Sequence, residues 1–382
     1  MDHHSRTDAV VVIGGGIAGA SAAYWLSRHG QPVVVIDNAD TGYASAAGAG
    51  IVSPGTSDRV VDEIEAVAYA AAGFYRTLTA ALADDGFTDT GFEHSGTLFA
   101  AFTDGERDQL DAVLARIEQR TASAGETIGT VSRLDAAATR EMFPALRPGT
   151  EAIHVSGGCR VNARQLCSAL TAALQARGET LIHGRATLTE TGRAGEWGVE
   201  VDGRRLTPAA VILATGSWGY AWEGFENFNL AMKPQKGQIL HLDLPGQDTA
   251  RWPTVVGFES YYMLAFGPHR IVSGATREHD TGHDYHVTAA GQAELLNRTL
   301  RVAPGLSEAT VVETRIGFRP WSPDGEPVVG PVRGSTNTYI VNGLGPQGLT
   351  LGPYLGSQAA EMALGLPTDR RLVQFSPDRF LS

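Results

Sequence analysis

Residues 10 to 37 read VVVIGGGIAGASAAYWLSRHGQPVVVID, and this stretch decides the fold. A short β-branched run comes first, followed by a glycine-rich turn, a helical segment that ends near Gly30, and a second apolar run. This is the order of a βαβ unit in a parallel sheet. Asp37 stands at the end of the second strand, where a carboxylate can accept hydrogen bonds from a ribose diol.

The turn between the first strand and the helix has the spacing G-x-G-x-x-G, formed by Gly14, Gly16 and Gly19. The first glycine permits a tight turn, the second lets a pyrophosphate approach the backbone, and the third lets the helix pack closely on the strand. The helix N-terminus then directs free N–H groups at the phosphates. The full pattern predicts a dinucleotide site. The alternative is a glycine turn that only packs a helix against a sheet.

The composition predicts a soluble globular protein. The 382 residues, 43% apolar and 19% charged, are enough for two domains and a large core. A net charge of −12 argues against a nucleic-acid partner. Cys159 and Cys167 have neither a disulfide framework nor a metal spacing, so we expect reduced core thiols. The one long apolar run, 9–26, contains the glycine pattern, so we expect no transmembrane segment and a cytoplasmic location.

The rest of the chain alternates between helical and strand-like patterns. Helices are predicted over 59–83, 106–122, 132–143, 162–177, 289–301 and 349–364. Strands are predicted over 92–102, 152–155, 197–201, 208–216, 238–242, 261–266, 270–273, 311–316 and 338–341, and a pair of strands over 180–189. The strand-rich stretch 234–319 predicts a separate antiparallel sheet. Residues 41–55 are small and flexible, and they either run along a flat ligand or form an ordinary surface loop.

A second glycine turn, GLGPQG, occupies residues 343–348. No strand with a terminal acid follows it, so it does not predict a second nucleotide-binding half. We interpret it as a helix N-terminus aimed at an electron-rich ring, with bare backbone around it. A plain strand-to-helix turn is the alternative.

Taken in order, the motifs resemble the FAD-dependent D-amino-acid oxidase superfamily, and in particular its glycine oxidase and bacterial D-amino-acid dehydrogenase branches. The motifs that carry the resemblance are the N-terminal glycine pattern, 45–50, Ala-Thr-Gly at 214–216, PQKGQ at 234–238, GATRE at 274–278, GFRP at 317–320, SPDG at 322–325 and 343–353.

The resemblance implies an α/β fold in which a Rossmann-type FAD-binding domain is interleaved with an antiparallel-sheet substrate domain. The FAD-binding domain would comprise 1–58, 150–222 and 318–382, and the substrate domain 59–149 and 223–317. The active site would lie between the sheet and the flavin ring.

The resemblance also implies which residues hold FAD. They are Gly14, Gly16, Ile17, Ala18, Gly19, Asp37, Asn38, Ser45, Ala46, Gly48, Ala49, Gly50, Ile51, Ala186, Ala214, Gly216, Gly345, Pro346, Gln347, Gly348, Leu349 and Thr350. Gly317 stands where the sarcosine oxidase branch has a flavin-linked cysteine, and alanines stand where another branch has a flavin-linked histidine. FAD is therefore expected to bind without a covalent bond. Val272 falls near the position of an oxygen-activating lysine, which puts efficient use of oxygen in doubt.

Two residues match the substrate-binding positions of the family. Arg319 matches the arginine that grips the substrate carboxylate, a task that suits the planar fork of a guanidinium. Tyr262 matches a tyrosine that helps bind the same group. A structural ion pair for the arginine and a core position for the tyrosine are the alternatives. Glycine oxidase has a second arginine where this chain has Pro346, so that carboxylate clamp is absent.

The implied reaction removes two electrons from the C–N bond of an amino acid or related amine, such as a D-amino acid, glycine or an N-substituted amino acid. Hydride passes to flavin N5 and an imine leaves. Oxygen or another acceptor would take the electrons, and the oligomeric state stays open. A flavin hydroxylase and an FAD-binding subunit of a multi-subunit amine dehydrogenase are the alternatives.

A cluster of histidines and acids follows the substrate strands. It contains His279, His283 and His286 with Asp280 and Asp284. The segment is polar throughout and lacks the spacing of a tetrahedral metal site. We expect a solvated loop and no bound metal, with a loop that reaches over the active-site mouth as the alternative.

Overall fold

The computed structural model describes residues 4–57, 62–124, 127–219 and 230–380. Its strands are β1 (His4–Arg6), β2 (Val10–Ile13), β3 (Val33–Asp37), β4 (Ile51–Val52), β5 (Phe92–His94), β6 (Thr97–Ala101), β7 (Val131–Leu134), β8 (Glu151–Val155), β9 (Cys159–Val161), β10 (Thr180–His183), β11 (Ala186–Glu190), β12 (Trp197–Val201), β13 (Arg204–Thr207), β14 (Ala210–Leu213), β15 (Lys233–Asp243), β16 (Thr254–Gly257), β17 (Tyr262–Phe266), β18 (Arg270–Gly274), β19 (Thr310–Trp321), β20 (Val328–Pro331) and β21 (Thr338–Asn342).

The helices are α1 (Ile17–Arg28), α2 (Ala44–Ala47), α3 (Asp62–Asp84), α4 (Asp104–Arg107), α5 (Leu110–Ala124), α6 (Ala136–Met142), α7 (Ala163–Ala176), α8 (Ala289–Val302) and α9 (Gly348–Ala363). Within the described ranges, no helix is both long and apolar enough to span a membrane. The first three residues of the predicted helix 59–83 lie outside those ranges.

A six-stranded sheet has the order β10-β3-β2-β14-β21-β20, and only the edge strand β20 runs antiparallel to its neighbour. Its central strands are buried runs of Val, Ile and Leu, as expected for a parallel sheet covered on both faces. The predicted strand, turn, helix and strand of residues 10–37 are confirmed. Helix α1 ends at Arg28, and Gly30 follows with a positive φ of 76°.

An eight-stranded sheet has the order β19-β15-β18-β17-β16-β6-β8-β7. The predicted antiparallel sheet is confirmed with one difference, because β16 and β6 pair in parallel. The long strands β15 and β19 pair along their whole lengths, with Gln235 opposite Arg319 and Gly237 opposite Gly317. Two smaller sheets have the orders β1-β13-β12-β11 and β4-β9-β5. The division into two interleaved domains stays a prediction.

Three local predictions were wrong in part. Residues 132–143 begin as strand β7, and the helix starts only at Ala136, because the Asp135 carboxylate accepts the N–H of Ala138. Residues 180–189 form the two predicted strands, but these belong to different sheets and do not pair with each other. Residues 92–102 form two strands, β5 and β6, instead of one. In the turn between them, the main-chain N–H of Gly96 donates a hydrogen bond to the carbonyl of Gly158.

Helices α1 and α9 lie side by side on the six-stranded sheet at unusually close range. A Cβ at Gly352 would come within 2.8 Å of Ile17, and one at Gly356 would overlap the carbonyl oxygen of Ala18. Both helices therefore approach through bare backbone, and each begins just after a strand of the same sheet, β2 for α1 and β21 for α9. This contact fixes where the two helix N-termini stand.

The close contact gives the first testable prediction. Gly356→Ala should lower the free energy of unfolding by about 1–3 kcal/mol, because the added methyl must push two backbones apart. The midpoint of urea unfolding measures the change. Gly105→Ala, an exposed helical position with open space around it, serves as the matched control and should change stability by less than about 0.5 kcal/mol. Equal midpoints for both variants would contradict this account of the packing.

Candidate functional site

A cavity of about 500 Å³ lies between the six-stranded and the eight-stranded sheets, large enough to enclose much of a cofactor or substrate. Most of the residues predicted to hold FAD or substrate stand on its wall. They are Gly14, Gly16, Ile17, Ala18, Asp37, Asn38, Ser45, Gly48, Ala49, Gly50, Ile51, Ala186, Ala214, Gly216, Tyr262, Arg319, Gly345, Pro346, Gly348 and Leu349. Their roles in binding stay predictions.

Four of the predicted residues do not line this cavity. A Cβ at Gly19 would overlap the carbonyl oxygen of Gly14, so this glycine packs the helix on the turn. The carbonyl of Ala46 accepts a hydrogen bond from Arg164. The main-chain N–H of Gln347 donates a hydrogen bond to the carbonyl of Leu344. The hydroxyl of Thr350 donates to the carbonyl of Ile51 at 3.1 Å and ties helix α9 to strand β4.

The glycine turn after β2 exposes main chain to the cavity. Gly14 has a φ of 104°, and a Cβ there would overlap the carbonyl oxygen of Ala214 on the neighbouring strand. A Cβ at Gly15 would meet the carboxylate of Asp37 at 2.9 Å, so that carboxylate lies across the turn. A ribose diol next to the turn would meet this acceptor. The carboxyl ends of parallel strands are where dinucleotides bind in open α/β sheets.

The N-terminus of α1 carries no acidic residue in its first turn, which leaves its partial positive charge uncompensated. The Ser45 hydroxyl accepts the N–H of Ile17 at 2.9 Å and brings the segment after Asp37 against the helix. Helix α9 likewise has no side-chain cap and no acidic first turn, and its first residues line the same cavity. Two helix N-termini and bare backbone fit the phosphates and the electron-rich ring of FAD.

Non-covalent binding also fits the residues present. A Cβ at Gly317 would approach the Cβ of Ala47 to 2.7 Å, so a flavin-linked cysteine has no room there. The two cysteines of the chain, Cys159 and Cys167, are free, and burial raises the pKa of each thiol to about 12.

The end of the cavity predicted to bind substrate is built on β15, β17 and β19. The guanidinium of Arg319 lies flat over Gly237, where a Cβ would come within 2.6 Å of it. Its Nη1 donates to Gln235 Oε1 at 3.1 Å and to the carbonyl of Thr276 at 3.3 Å. Burial, together with the charge of Arg277, lowers the pKa of this guanidinium. In the described part of the chain Arg319 pairs with no carboxylate, so the predicted alternative of a structural ion pair finds no partner there.

Tyr262 stands beside Arg319 at the end of β17. Burial raises the pKa of its phenol, against the opposing influence of Arg319, which is hydrogen-bonded to it, and of Arg277. The phenol therefore keeps its proton at neutral pH and can donate it to an anion. A Cβ at Gly274 would come within 2.9 Å of the phenol oxygen, so strand β18 approaches Tyr262 through the bare backbone of this glycine.

Sequence reasoning missed Arg277. This side chain lines the cavity, is exposed at its mouth, and acts electrostatically on both Arg319 and Tyr262. Among the described residues it forms no ion pair. The signal was present in the sequence, because Arg277 follows strand β18 within the GATRE motif. The resemblance to glycine oxidase, however, places a second carboxylate-binding arginine only at the position of Pro346.

The histidines of the loop after β18 contact separate partners. His283 stacks on Trp218 with ring centroids 4.7 Å apart, and its Nε2 lies 3.1 Å from the hydroxyl of Ser217. His286 contacts Asp284, while His279 turns back to Gln235. No group of three metal-ligating side chains occurs among the residues with a described position. Ser217 and Trp218 line the cavity, so His283 contacts residues of its wall, and whether the loop reaches over the active-site mouth stays a prediction.

Comparison with known proteins extends over nearly the whole chain. Residues 9–362 match the family model described as FAD dependent oxidoreductase, DAO. The uncharacterized oxidoreductase YurR of Bacillus subtilis (strain 168) is 41% identical over 369 residues, covering 96% of this chain and 98% of YurR. A glycine oxidase of Pseudomonas putida is 32% identical over 353 residues, covering 90% and 91%. The crystal structure of iminodiacetate oxidase IdaA from Chelativorans sp. BNC1 has a TM-score of 0.92 at 40% identity, covering 96% and 98%.

The position of Asp37 gives a prediction for cofactor affinity. Asp37→Ala should weaken FAD binding by about 10- to 100-fold, the value of a hydrogen bond to a charged acceptor. Flavin fluorescence during titration of the apoprotein measures the dissociation constant. Asp378→Ala removes an exposed carboxylate outside the cavity and should bind FAD like the wild type. An unchanged constant for the first variant would remove Asp37 from the cofactor site.

Proposed function

The chain belongs to the family of FAD-dependent oxidoreductases, and from this premise we propose that it oxidises the C–N bond of an amino acid that carries two carboxylates, as iminodiacetate does. One observation carries the proposal. Two arginines, Arg277 and Arg319, face the same cavity without a carboxylate partner in the described part of the chain. Two cations at one substrate end favour a substrate with two anionic groups. The similarity to iminodiacetate oxidase agrees with this choice.

The side chains divide the work of binding. Arg319 is held by the neutral acceptors Gln235 and Thr276, so its positive charge stays available to a substrate carboxylate. Tyr262 donates its phenol proton to the same carboxylate. Arg277, at the exposed mouth, receives the second carboxylate. The carbon next to the nitrogen is thereby fixed within the cavity between two anchors, which lowers the entropy cost of reaching the reactive geometry.

FAD, when bound, supplies the chemistry by accepting the two electrons as a hydride. The substrate loses that hydride from carbon and a proton from nitrogen, which leaves a C=N bond. Water then adds to the imine, the C–N bond breaks, and an α-keto or aldehyde acid and an amine leave. From iminodiacetate the products are glyoxylate and glycine. No described side chain is required as a base if the amine arrives uncharged.

Two further expectations belong to the proposal. The two free thiols, of buried Cys159 and half-buried Cys167, suit a reducing compartment, so we place the protein in the cytoplasm. Molecular oxygen or another acceptor removes the electrons. The similarity to oxidases favours oxygen, whereas buried Val272 at the position expected for a lysine favours another acceptor.

The proposal is tested by the colour of the flavin. The FAD-loaded protein is mixed without oxygen with iminodiacetate, sarcosine, glycine, and pools of D- and L-amino acids. We expect iminodiacetate to bleach the flavin fastest, and readmitted air then separates an oxidase from a dehydrogenase. A flavin that no amine bleaches would contradict the proposal and favour a non-catalytic subunit. Bleaching by a single-carboxylate amine alone would contradict the substrate class.

We expect substitutions of the two arginines to lower kcat/KM for different sets of substrates. Arg319→Met should lower kcat/KM at least about 100-fold for iminodiacetate and for sarcosine, because both place a carboxylate there. Arg277→Gln should lower it about 10- to 100-fold for iminodiacetate and less than about threefold for sarcosine, which has no second carboxylate.

The control for the loss of one positive charge is Arg140→Gln, on the exposed side of α6 and outside the cavity. It should leave both substrates unaffected. Equal losses for the two substrates in Arg277→Gln would show that this arginine does not read the second carboxylate.

A further inference from the structure

A chain of three side chains links the solvent to the substrate arginine. Arg319 donates its Nη1 to Gln235 Oε1 at 3.1 Å, and Gln235 Nε2 lies 3.1 Å from His279 Nε2. Gln235 is 3% exposed, whereas His279 is exposed on the loop after β18. We propose that Gln235 and His279 are positioning residues for Arg319, and that the anchor is held in its binding orientation only while His279 is neutral. This inference rests on the proposed role of Arg319 as the carboxylate anchor.

Hydrogen-bond chemistry sets the direction of each link. A guanidinium can only donate, so the amide must present its oxygen to Arg319 and its NH₂ group to His279. The imidazole must then accept at Nε2, which requires the neutral ring with its proton on Nδ1. The three groups thus form one continuous chain in which each donor has an acceptor. If one of these partners were lost, the buried side-chain amide of Gln235 would keep an unpaired polar group, and its present orientation would be less stable.

A protonated His279 breaks the chain. Its Nε2 would carry a hydrogen and face the NH₂ group of Gln235, so two donors would oppose each other. If the amide turned over to satisfy the imidazolium, its NH₂ group would face Arg319 Nη1, again donor against donor. Neither orientation of Gln235 satisfies both neighbours. The guanidinium would then keep only its weaker contacts, among them the carbonyl of Thr276 at 3.3 Å.

The backbone holds His279 in place. Lys236 and Glu278 exchange two main-chain hydrogen bonds of 3.0 and 2.9 Å, which fix the residue before the histidine against β15. The ring of Trp321 lies edge-on to His279, with centroids 6.3 Å apart. These contacts therefore hold the imidazole of His279 next to Gln235, although its other side is exposed to solvent.

Several charged groups surround the histidine. Arg319 lies beyond Gln235, and Lys236, beside it on β15, is buried with Asp284 at 3.1 Å. The loop itself contributes Arg277, Glu278 and Asp280. Among side chains, an imidazole is the one that ordinarily changes charge between about pH 5 and pH 8. A change in substrate binding across this range that depends on residue 279 is therefore specific to the imidazole.

The experiment measures binding of methoxyacetate to the FAD-loaded protein through the change in flavin absorbance. This probe has one carboxylate that stays ionised in the range and no amine to be protonated or oxidised. For the wild type, the dissociation constant should rise about tenfold from pH 8 to pH 5.5. In His279→Gln the new amide oxygen can accept from Gln235 at every pH, so the constant should stay low and flat. Gln235→Leu should bind about tenfold more weakly at pH 8 and show no slope.

Two controls separate the possible failures. His269→Gln changes a histidine that bonds the carbonyl of Gln247 away from the cavity, and it should keep the wild-type slope. Arg319→Met tests the anchor itself. If it binds methoxyacetate like the wild type, the proposed function fails. If it loses binding while His279→Gln keeps the wild-type slope, only the present inference is overturned. Wild-type affinity in Gln235→Leu would overturn it as well.

Discussion

Helix α1 lies so close to strands β2 and β14 that no side chain fits between them, and the site depends on this contact. Gly14 and Gly19 allow this approach, because a Cβ at Gly14 would overlap the carbonyl oxygen of Ala214 and one at Gly19 would overlap the carbonyl oxygen of Gly14. Helix α9 joins in the same way across Gly356. As a result, two helix N-termini with no acidic residue in their first turns face one cavity. A cofactor with phosphates and an electron-rich ring finds its charge complement in these positions.

The substrate end depends on an arginine that is held without being neutralised. A carboxylate partner would fix Arg319 more strongly, but it would also occupy the group that a substrate must reach. Gln235, Thr276 and Tyr262 instead orient the guanidinium through neutral atoms, and Gly237 leaves room for it to lie flat on the strand. Arg277 adds a second positive charge although the whole chain carries −12. The end of the cavity that holds these two arginines is therefore positive, opposite in sign to the net charge of the protein.

The sequence predicted what depends on local order and could not predict what depends on pairing. The βαβ unit and helix α7, predicted over 162–177, follow from periodicity and turn residues, and the structure confirms them. The partnership of Gln235 with Arg319 depends on the register of β15 and β19, which lie 84 residues apart at this point. His279 joins them only because the loop after β18 returns to β15. Sequence spacing carries no information about such contacts.

The central claim, that two arginines read two carboxylates, is tested most directly by a crystal structure of the FAD-loaded protein with diglycolate. This molecule has the shape of iminodiacetate with oxygen in place of the amine, so it binds without reacting. The account predicts one carboxylate on Arg319 and Tyr262 and the other on Arg277. A diglycolate that leaves Arg277 without a contact, or that binds away from Arg319, would contradict it.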